Sequence, residues 1–150
     1  MTNGDLRTIR VDEFLPHPPE KVWRALTEPD LIARWLMPND FKLEIGHRFT
    51  FHAFPMPAAG FGGTGYSEVL EFEPEKMLRI AWRTAPSDLC ALDSTVTFTL
   101  EPEGTGTRLV LVHDGFDPDD PYQAAAQRIM GGGWQGAPAR IAEIITQALP

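Results

Sequence analysis

The stretch Pro18–Pro38, PPEKVWRALTEPDLIARWLMP, decides the fold because it has the pattern of two short amphipathic helices. Apolar residues recur in it at three- and four-residue spacing, and each half carries one tryptophan, Trp23 or Trp35. The paired prolines at its start suit a first helical turn, where the N–H groups have no intrahelical partner. A Glu-Pro-Asp step in the middle ends the first helix. The stretch therefore predicts a helical pair that presses an aromatic edge against a sheet, with Trp35 facing a cavity.

The length and composition of the chain predict a single domain spanning residues 1–150. The chain is 43% hydrophobic and 23% charged, which is ordinary for a globular protein. The N-terminal residues contain no apolar signal-peptide core, and no apolar run approaches the roughly 20 residues of a membrane span. Cys90 is the single cysteine, which excludes an internal disulfide. These features predict a cytoplasmic protein without a membrane span.

The charge balance limits the classes of partner. Thirteen basic and 21 acidic residues give a net charge of −8. This charge repels phosphate backbones and anionic membrane surfaces, and no basic stripe offsets it. We therefore predict no nucleic-acid partner, whereas a small neutral or apolar ligand is not disfavoured by the charge.

Downstream of the helical pair, period-two patterns predict an antiparallel sheet of about six or seven strands. A strand over residues 5–14 precedes the helices, and Gly46 is expected to link the second and third strands as a hairpin. The later strands are separated by short turns. The strands predicted after the helices are Phe41–Ile45, His47–Phe54, Tyr66–Glu73, Met77–Thr84, Ser94–Leu100 and Gly106–Asp114.

The C-terminal segment predicts helices at Tyr122–Met130 and Trp134–Leu149. We expect a break at Gly131–Gly133, since each glycine costs a helix about 1 kcal/mol relative to alanine. An antiparallel sheet with one apolar face needs a cover, and the terminal helix supplies it. The predicted class is α+β.

Four segments occur in an order that resembles a known family. They are Pro18–Pro38, the hairpin VLEFEPEKMLRIAW (Val69–Trp82), the strand TRLVLVHDGF (Thr107–Phe116) and GGGW (Gly131–Trp134). Together they are similar to bacterial homologues of the activator of the heat-shock chaperone ATPase, within the START-like (SRPBCC, birch-pollen-allergen-like) superfamily. The resemblance extends from about Thr8 to Leu149.

The resemblance implies a helix-grip fold, in which a curved antiparallel sheet surrounds a long C-terminal helix. It also implies a hydrophobic cavity between the two, where members bind lipids, sterols or aromatic molecules. A minority of members are cyclases or aromatases. The family name implies a third alternative, an interaction with a heat-shock chaperone. A homodimer would be compatible with an exposed sheet edge.

The predicted ligand site consists of apolar, aromatic and polar side chains at expected inward positions. Met37, Trp35 and Trp134 are the strongest candidates because they lie at element ends. Phe54 belongs to the same apolar pattern, and a packed core is the alternative interpretation of the whole set. The predicted site residues are Trp35, Met37, Phe49, Phe51, Tyr66, Trp82, Phe98, His113, Phe116, Met130 and Trp134.

His113 is the candidate catalytic residue. It alternates with Leu109 and Leu111, so it shares a face with two apolar side chains. With an ordinary pKa near 6.5 it could orient a ligand carbonyl or act as a general base. The alternative is a histidine hydrogen-bonded to the surrounding structure.

A catalytic role for His113 would need a second polar group, from Tyr66, Glu68, Glu71 or Arg83. The strand around these glutamates has apolar residues at both parities, so its sequence cannot tell which side chain faces inward. This enzymatic alternative would be a cyclase, aromatase or hydrolase.

Other motifs do not predict a site. The letters GFGGTG at Gly60–Gly65 match a dinucleotide-binding pattern, but a strand follows where that pattern needs a helix. The acidic run Asp114–Asp120 lacks the glycine and glutamate of a calcium loop. The histidines show no metal-ligand spacing, and acidic neighbours disfavour a Cys90 thiolate. We expect no metal and no cofactor, with Pro55–Gly65 and Asp117–Pro121 as loops at the cavity entrance.

Overall fold

The computed structural model describes residues 6–150, so residue 5 of the first predicted strand lies outside it. Six strands form one curved antiparallel sheet in the order β1-β6-β5-β4-β3-β2. A 3-10 turn, Pro57–Ala59, precedes β3. The strands are β1 Thr8–Leu15, β2 Arg48–His52, β3 Thr64–Glu73, β4 Met77–Arg83, β5 Asp93–Glu103 and β6 Gly106–Asp114. The helices are α1 Pro19–Thr27, α2 Pro29–Trp35 and α3 Pro121–Ala148.

The predicted helical pair is present. Both α1 and α2 have proline in the first turn, where its missing N–H costs no intrahelical bond. Their apolar stripe is buried through Val22, Leu26, Leu31 and Ile32. The helix-grip arrangement that the resemblance implied is confirmed, with two short helices after the first strand and a long one at the end.

The predicted strand at Phe41–Ile45 is wrong, and the chain there forms turns. The Asn39 side chain accepts a hydrogen bond from the Phe41 N–H, and the Glu44 N–H bonds to the Lys42 carbonyl. Gly46 adopts a φ of +83°, a conformation that favours glycine. Because local bonds use the backbone before Gly46, strand pairing begins only at Arg48, opposite Glu68.

The predicted break at Gly131–Gly133 is also wrong, since α3 runs unbroken for 28 residues. Asp120 caps its start by accepting hydrogen bonds from the Tyr122 and Gln123 N–H groups. The inward face of the helix is buried along its length, notably at Trp134 and Ile141. Tertiary packing of this face outweighs the weak helix propensity of the glycines. Among the described residues, no helix is long and apolar enough to span a membrane.

The main core fills the space between the inner face of the sheet and α3. Alternate residues of β5 and β6, such as Val96 and Leu111, are fully buried, and Ile141 and Ile145 of α3 are buried with them. The helical pair closes the same core through Leu26 of α1 and Ile32 of α2, which are buried in it.

Candidate ligand-binding cavity

A small cavity of about 140 Å³ lies beside this core, between α3, the end of β4 and the segment that precedes β3. It is partly enclosed, and its lining is almost entirely apolar. From here on it is called the apolar cavity. Its lining residues are Met37, Ala53, Met56, Ala59, Phe61, Gly65, Trp82, Arg83, Thr84, Cys90, Leu92, Ala126, Ile129 and Met130.

The wall opposite the sheet comes from the first turns of α3 and from the loop before β3. The Met56 N–H bonds to the Phe61 carbonyl, and the Cys90 N–H bonds to the Gly60 carbonyl. The first bond closes the loop on itself, and the second holds it against the segment before β5. At Gly60, with a φ of +67°, an added Cβ would lie 2.8 Å from the Cys90 nitrogen. The wall therefore depends on glycine at this close approach.

Three of the lining residues are methionines that lie far apart in the chain, Met37, Met56 and Met130. All three are half-buried. Methionine is unbranched and polarizable, so it adapts to irregular apolar shapes. This lining can accommodate ligands of somewhat different outline.

The polar groups around the cavity are engaged by the protein itself. The Thr84 hydroxyl donates to the Cys90 carbonyl and accepts from the Leu92 N–H. Arg83 donates to Asp93 and Glu68, which lie on the outer face of the sheet. Burial, together with the nearby Asp120 and Asp88 carboxylates, raises the pKa of the Cys90 thiol, so the thiol is held neutral. These groups offer a ligand little hydrogen bonding.

His113 lies outside the apolar cavity and takes part in a series of buried hydrogen bonds. The Trp134 indole N–H donates to His113 Nδ1 at 3.0 Å, which leaves the proton on Nε2. Nε2–H donates to the Ser94 hydroxyl at 2.7 Å, and that hydroxyl donates to the Trp82 carbonyl at 2.7 Å. Both imidazole nitrogens therefore have a hydrogen-bond partner when the ring is neutral.

Burial governs the protonation of His113. The side chain is fully buried, and burial lowers its pKa to about 3. The surrounding rings of Trp82, Phe116 and Trp134 supply no charge to stabilise an imidazolium. His113 is therefore neutral, and its hydrogen bonds link strands β4, β5 and β6 to α3.

The structure places the predicted site residues in three different environments. Met37, Trp82 and Met130 line the apolar cavity. Seven others are buried in the packed core, where their rings contact one another or the Ala25 carbonyl. These seven are Trp35, Phe49, Phe51, Phe98, His113, Phe116 and Trp134.

Two aromatic residues of the predicted pattern face solvent. Tyr66 is 43% exposed, because it lies on the outer face of β3. Phe54 is 87% exposed and follows the end of β2, where strand alternation no longer applies. Neither residue lines the apolar cavity.

The glutamates of β3 also face outward. Glu68 pairs with Arg48 and Arg83, and Glu71 pairs with Arg79. Strand register shifts between Val69 and Glu71, which marks a β-bulge. The bulge explains why the sequence shows apolar residues at both parities, since it interrupts the simple alternation.

Most of the lining was missed by the sequence interpretation. Ala53, Met56, Ala59 and Phe61 belong to an irregular segment, where no periodicity marks an inward position. The available signal was the pair Met56 and Phe61, two large apolar side chains in a loop rich in glycine and proline. Of the two predicted entrance loops, Pro55–Gly65 contributes to the lining and Asp117–Pro121 does not.

One buried polar atom of β3, outside the lining of the apolar cavity, is unexplained by the packing. Ser67, only 4% exposed, has a hydroxyl without a hydrogen-bond partner among residues 6–150. An unmade hydrogen bond of this kind costs about 1–3 kcal/mol. No cluster of acidic, histidine or cysteine side chains in the same residues could hold a metal ion.

Comparison with known proteins supports the architecture. Protein MLL2253 from Mesorhizobium loti is 41% identical, with a TM-score of 0.83, and the match covers 95% of this chain and 98% of that one. BH1534 from Bacillus halodurans is 27% identical (TM-score 0.69), with 97% and 99% covered. CalU16 from Micromonospora echinospora is 25% identical (TM-score 0.71), with 95% and 78% covered.

A comparison with curated proteins finds no match. The family model described as "Activator of Hsp90 ATPase homolog 1-like protein" matches residues 16–146, which include both helices of the opening pair and nearly all of α3. The chain therefore belongs to the family of Activator of Hsp90 ATPase homolog 1-like proteins.

Proposed function

We propose that this protein binds a small apolar molecule, about the size of one ring, in the apolar cavity. The observation that carries the proposal is the volume of about 140 Å³ together with an almost wholly apolar lining. An engineered apolar cavity of about 150 Å³ in another protein stays dry and binds benzene. The volume here suits a ligand of similar size.

Binding in this cavity would be driven by burial of apolar surface. The lining methionines can adjust to the ligand, and Trp82 offers an aromatic face. Arg83, the charged residue of the lining, is engaged by Asp93 and Glu68 and is not free to pair with an anionic ligand. Uncharged ligands are therefore favoured.

The enzymatic alternative would need His113 to meet a substrate at the cavity. His113 does not line it, and both of its ring nitrogens are bonded within the protein. A general base must reach the proton that it removes. This arrangement favours a binding protein over a cyclase, aromatase or hydrolase that uses His113.

The test is titration of the ¹⁵N-labelled protein with toluene, followed by NMR. We expect saturable shifts for residues around Ala126, Ile129 and Met130. Ala126→Leu would place a larger side chain inside the cavity, and we expect it to weaken toluene binding by roughly tenfold or more, equal to about 1.4 kcal/mol. Ala139→Leu makes the same change at an exposed position of α3 and is the control.

Cys90 supplies an independent readout because it is the single thiol and lines the cavity. Because the thiol is buried and held neutral, its modification by methyl methanethiosulfonate is already slow in the free protein, and we expect toluene to slow it further, as followed by mass spectrometry. Absence of saturable shifts in the wild type, or an affinity of Ala126→Leu equal to that of the control, would overturn the proposed function.

A further inference from the structure

The Trp82 side chain carries a hydrogen-bond donor that has no partner among the described residues. An indole N–H can only donate, and a buried one usually finds an acceptor. In the same core, Trp35 donates to the Ala25 carbonyl at 2.8 Å, and Trp134 donates to His113 at 3.0 Å. The Trp82 N–H donates to none of the described residues, although the residue is only 8% exposed. A ligand that accepts this hydrogen bond would account for the difference.

The unpartnered Trp82 nitrogen is not sealed inside the packing. In the described part of the chain, the fully enclosed polar side-chain atom that lacks a hydrogen-bond partner is the Ser67 hydroxyl. The Trp82 nitrogen lacks a partner without being enclosed in this way, so it borders accessible space. Trp82 lines the apolar cavity, and elsewhere its ring contacts Phe51, His113 and Trp134. The accessible part of the ring, with its N–H, therefore faces the cavity.

The other polar side chains of the lining do not compete with Trp82 for a ligand. The Thr84 hydroxyl is engaged by the Cys90 carbonyl and the Leu92 N–H. Arg83 is held by carboxylates on the outer face of the sheet. The neutral Cys90 thiol is only a weak donor. Among the described lining residues, Trp82 therefore carries the strong side-chain donor that a ligand can use.

Negative charge near the cavity determines the class of acceptor. Burial and then the Asp120 and Asp88 carboxylates raise the pKa of the Cys90 thiol, which shows that these carboxylates act on the cavity wall. They disfavour an anionic ligand there, and Arg83 is not free to neutralise one. The acceptor that suits the Trp82 N–H is therefore uncharged, such as a carbonyl, an ether or a nitrile.

We infer that the Trp82 indole N–H orients the ligand of the apolar cavity, which is a single apolar ring carrying one uncharged hydrogen-bond acceptor. The inference rests on the proposed function, since the cavity must hold the ring. The acceptor atom meets the Trp82 N–H, and the ring lies against apolar lining residues such as Leu92 and Met130. Trp82 thus selects among ligands of the same size.

The experiment compares benzonitrile with phenylacetylene, which have the same shape, because only the nitrile has a lone pair that accepts a hydrogen bond. Affinities are measured by NMR titration for the wild type, Trp82→Phe and Trp23→Phe. Trp23 is the matched control, since it is also 8% exposed, donates its N–H to no described residue and does not line the cavity. We expect Trp82→Phe to reduce the affinity for benzonitrile relative to phenylacetylene by roughly 3- to 10-fold, the effect of one hydrogen bond. Trp23→Phe should keep the wild-type ratio.

The ¹⁵N-labelled wild type reports on the same hydrogen bond without a substitution. The two ligands carry the same ring, so their ring-current effects on the Trp82 N–H signal are similar. We expect benzonitrile to move this signal to higher frequency than phenylacetylene does, because a hydrogen bond deshields the proton. Neither ligand should move the indole signal of Trp23.

The outcomes separate the two proposals. If both ligands bind, an unchanged affinity ratio in folded Trp82→Phe, or equal Trp82 signals with the two ligands, overturns the role of Trp82 and leaves the cavity standing. If neither ligand binds the wild type, the proposed function fails and the role of Trp82 fails with it. Benzoate is the charged comparison, and tighter binding of benzoate than of benzonitrile would overturn the uncharged class.

Discussion

Two neighbouring regions between the sheet and α3 are built from similar side chains but are filled differently. Around His113, the Trp134 ring contacts Phe98 and the imidazole, the Phe116 ring contacts the imidazole, and both imidazole nitrogens are hydrogen-bonded. Around Met130, the side chains leave a cavity of about 140 Å³. The two are called below the aromatic core and the apolar cavity.

The difference comes from the elements that build each region. The aromatic core lies between β4–β6 and the middle of α3, where strand register fixes every inward position. The apolar cavity is bounded on one side by an irregular segment that includes a 3-10 turn, Pro57–Ala59. The side chains of the regular elements are buried against one another, whereas the irregular segment borders the cavity through Met56, Ala59 and Phe61. The densely packed aromatic residues in this protein therefore form the core, and the cavity lies beside them.

The largest expected effect is the loss of Trp134 from the aromatic core. Trp134→Ala should lower the free energy of unfolding by about 3–5 kcal/mol, since it opens a void and removes the donor to His113. Urea denaturation measures this loss. Met130→Ala on the same helix, where the residue is half-buried beside an existing cavity, should cost less than half as much. Equal losses of unfolding free energy in the two variants would show that the aromatic core and the apolar cavity are not packed differently.

The second effect is a pH dependence that belongs to the aromatic core alone. The folded-state pKa of His113, about 3, lies below its unfolded value of about 6.5. The unfolded state therefore binds the proton first as pH falls, and stability is lost below about pH 6.5 at up to roughly 1.4 kcal/mol per pH unit. Above pH 6.5 this contribution is constant.

Urea unfolding at pH 7.5, 6.5 and 5.5 measures the slope for wild type and His113→Gln. We expect the variant to be less stable at every pH but to lose the part of the slope between 6.5 and 5.5 that histidine causes. The same slope in both proteins would show that other groups produce it and that His113 is not held neutral by burial.

The smallest effect concerns the helix that covers both regions. An added Cβ at Gly132 or Gly133 would meet nothing within 4 Å, so Gly132→Ala should stabilise α3 by up to about 1 kcal/mol. Thermal unfolding measures this gain. Gly60→Ala is the contrasting variant, because its Cβ would clash with the Cys90 backbone, and we expect it to destabilise the cavity wall. A loss of stability in Gly132→Ala would indicate that this part of α3 needs the freedom of glycine.

Local patterns predicted the elements well where periodicity and burial agree. The helical pair, the strand pairing from Tyr66 onward and the terminal helix follow from spacing that one buried face imposes. The prediction was wrong where local bonds or tertiary packing prevailed. Asn39 and Gly46 turn the chain at the expected strand Phe41–Ile45, and the burial of Trp134 and Ile141 carries α3 through three glycines.

The candidate site was less predictable than the fold. Met37, Trp82 and Met130 were identified as apolar and inward, but the sequence could not separate residues that pack from residues that border free space. The bulge between Val69 and Glu71 also determines which face each β3 side chain occupies, and no sequence parity reveals it.

The sequence by itself determined the order of the elements, the family and the net charge of −8, because these depend on composition and short-range spacing. The tertiary structure alone decided that His113 is enclosed and neutral and that the cavity forms against the loop of Met56 and Phe61. It also left the Ser67 hydroxyl without a hydrogen-bond partner among residues 6–150. The physical reason is that packing and hydrogen-bond satisfaction are settled between residues distant in the chain. A periodic pattern records which side chains leave water, and only the assembled fold determines what they contact there.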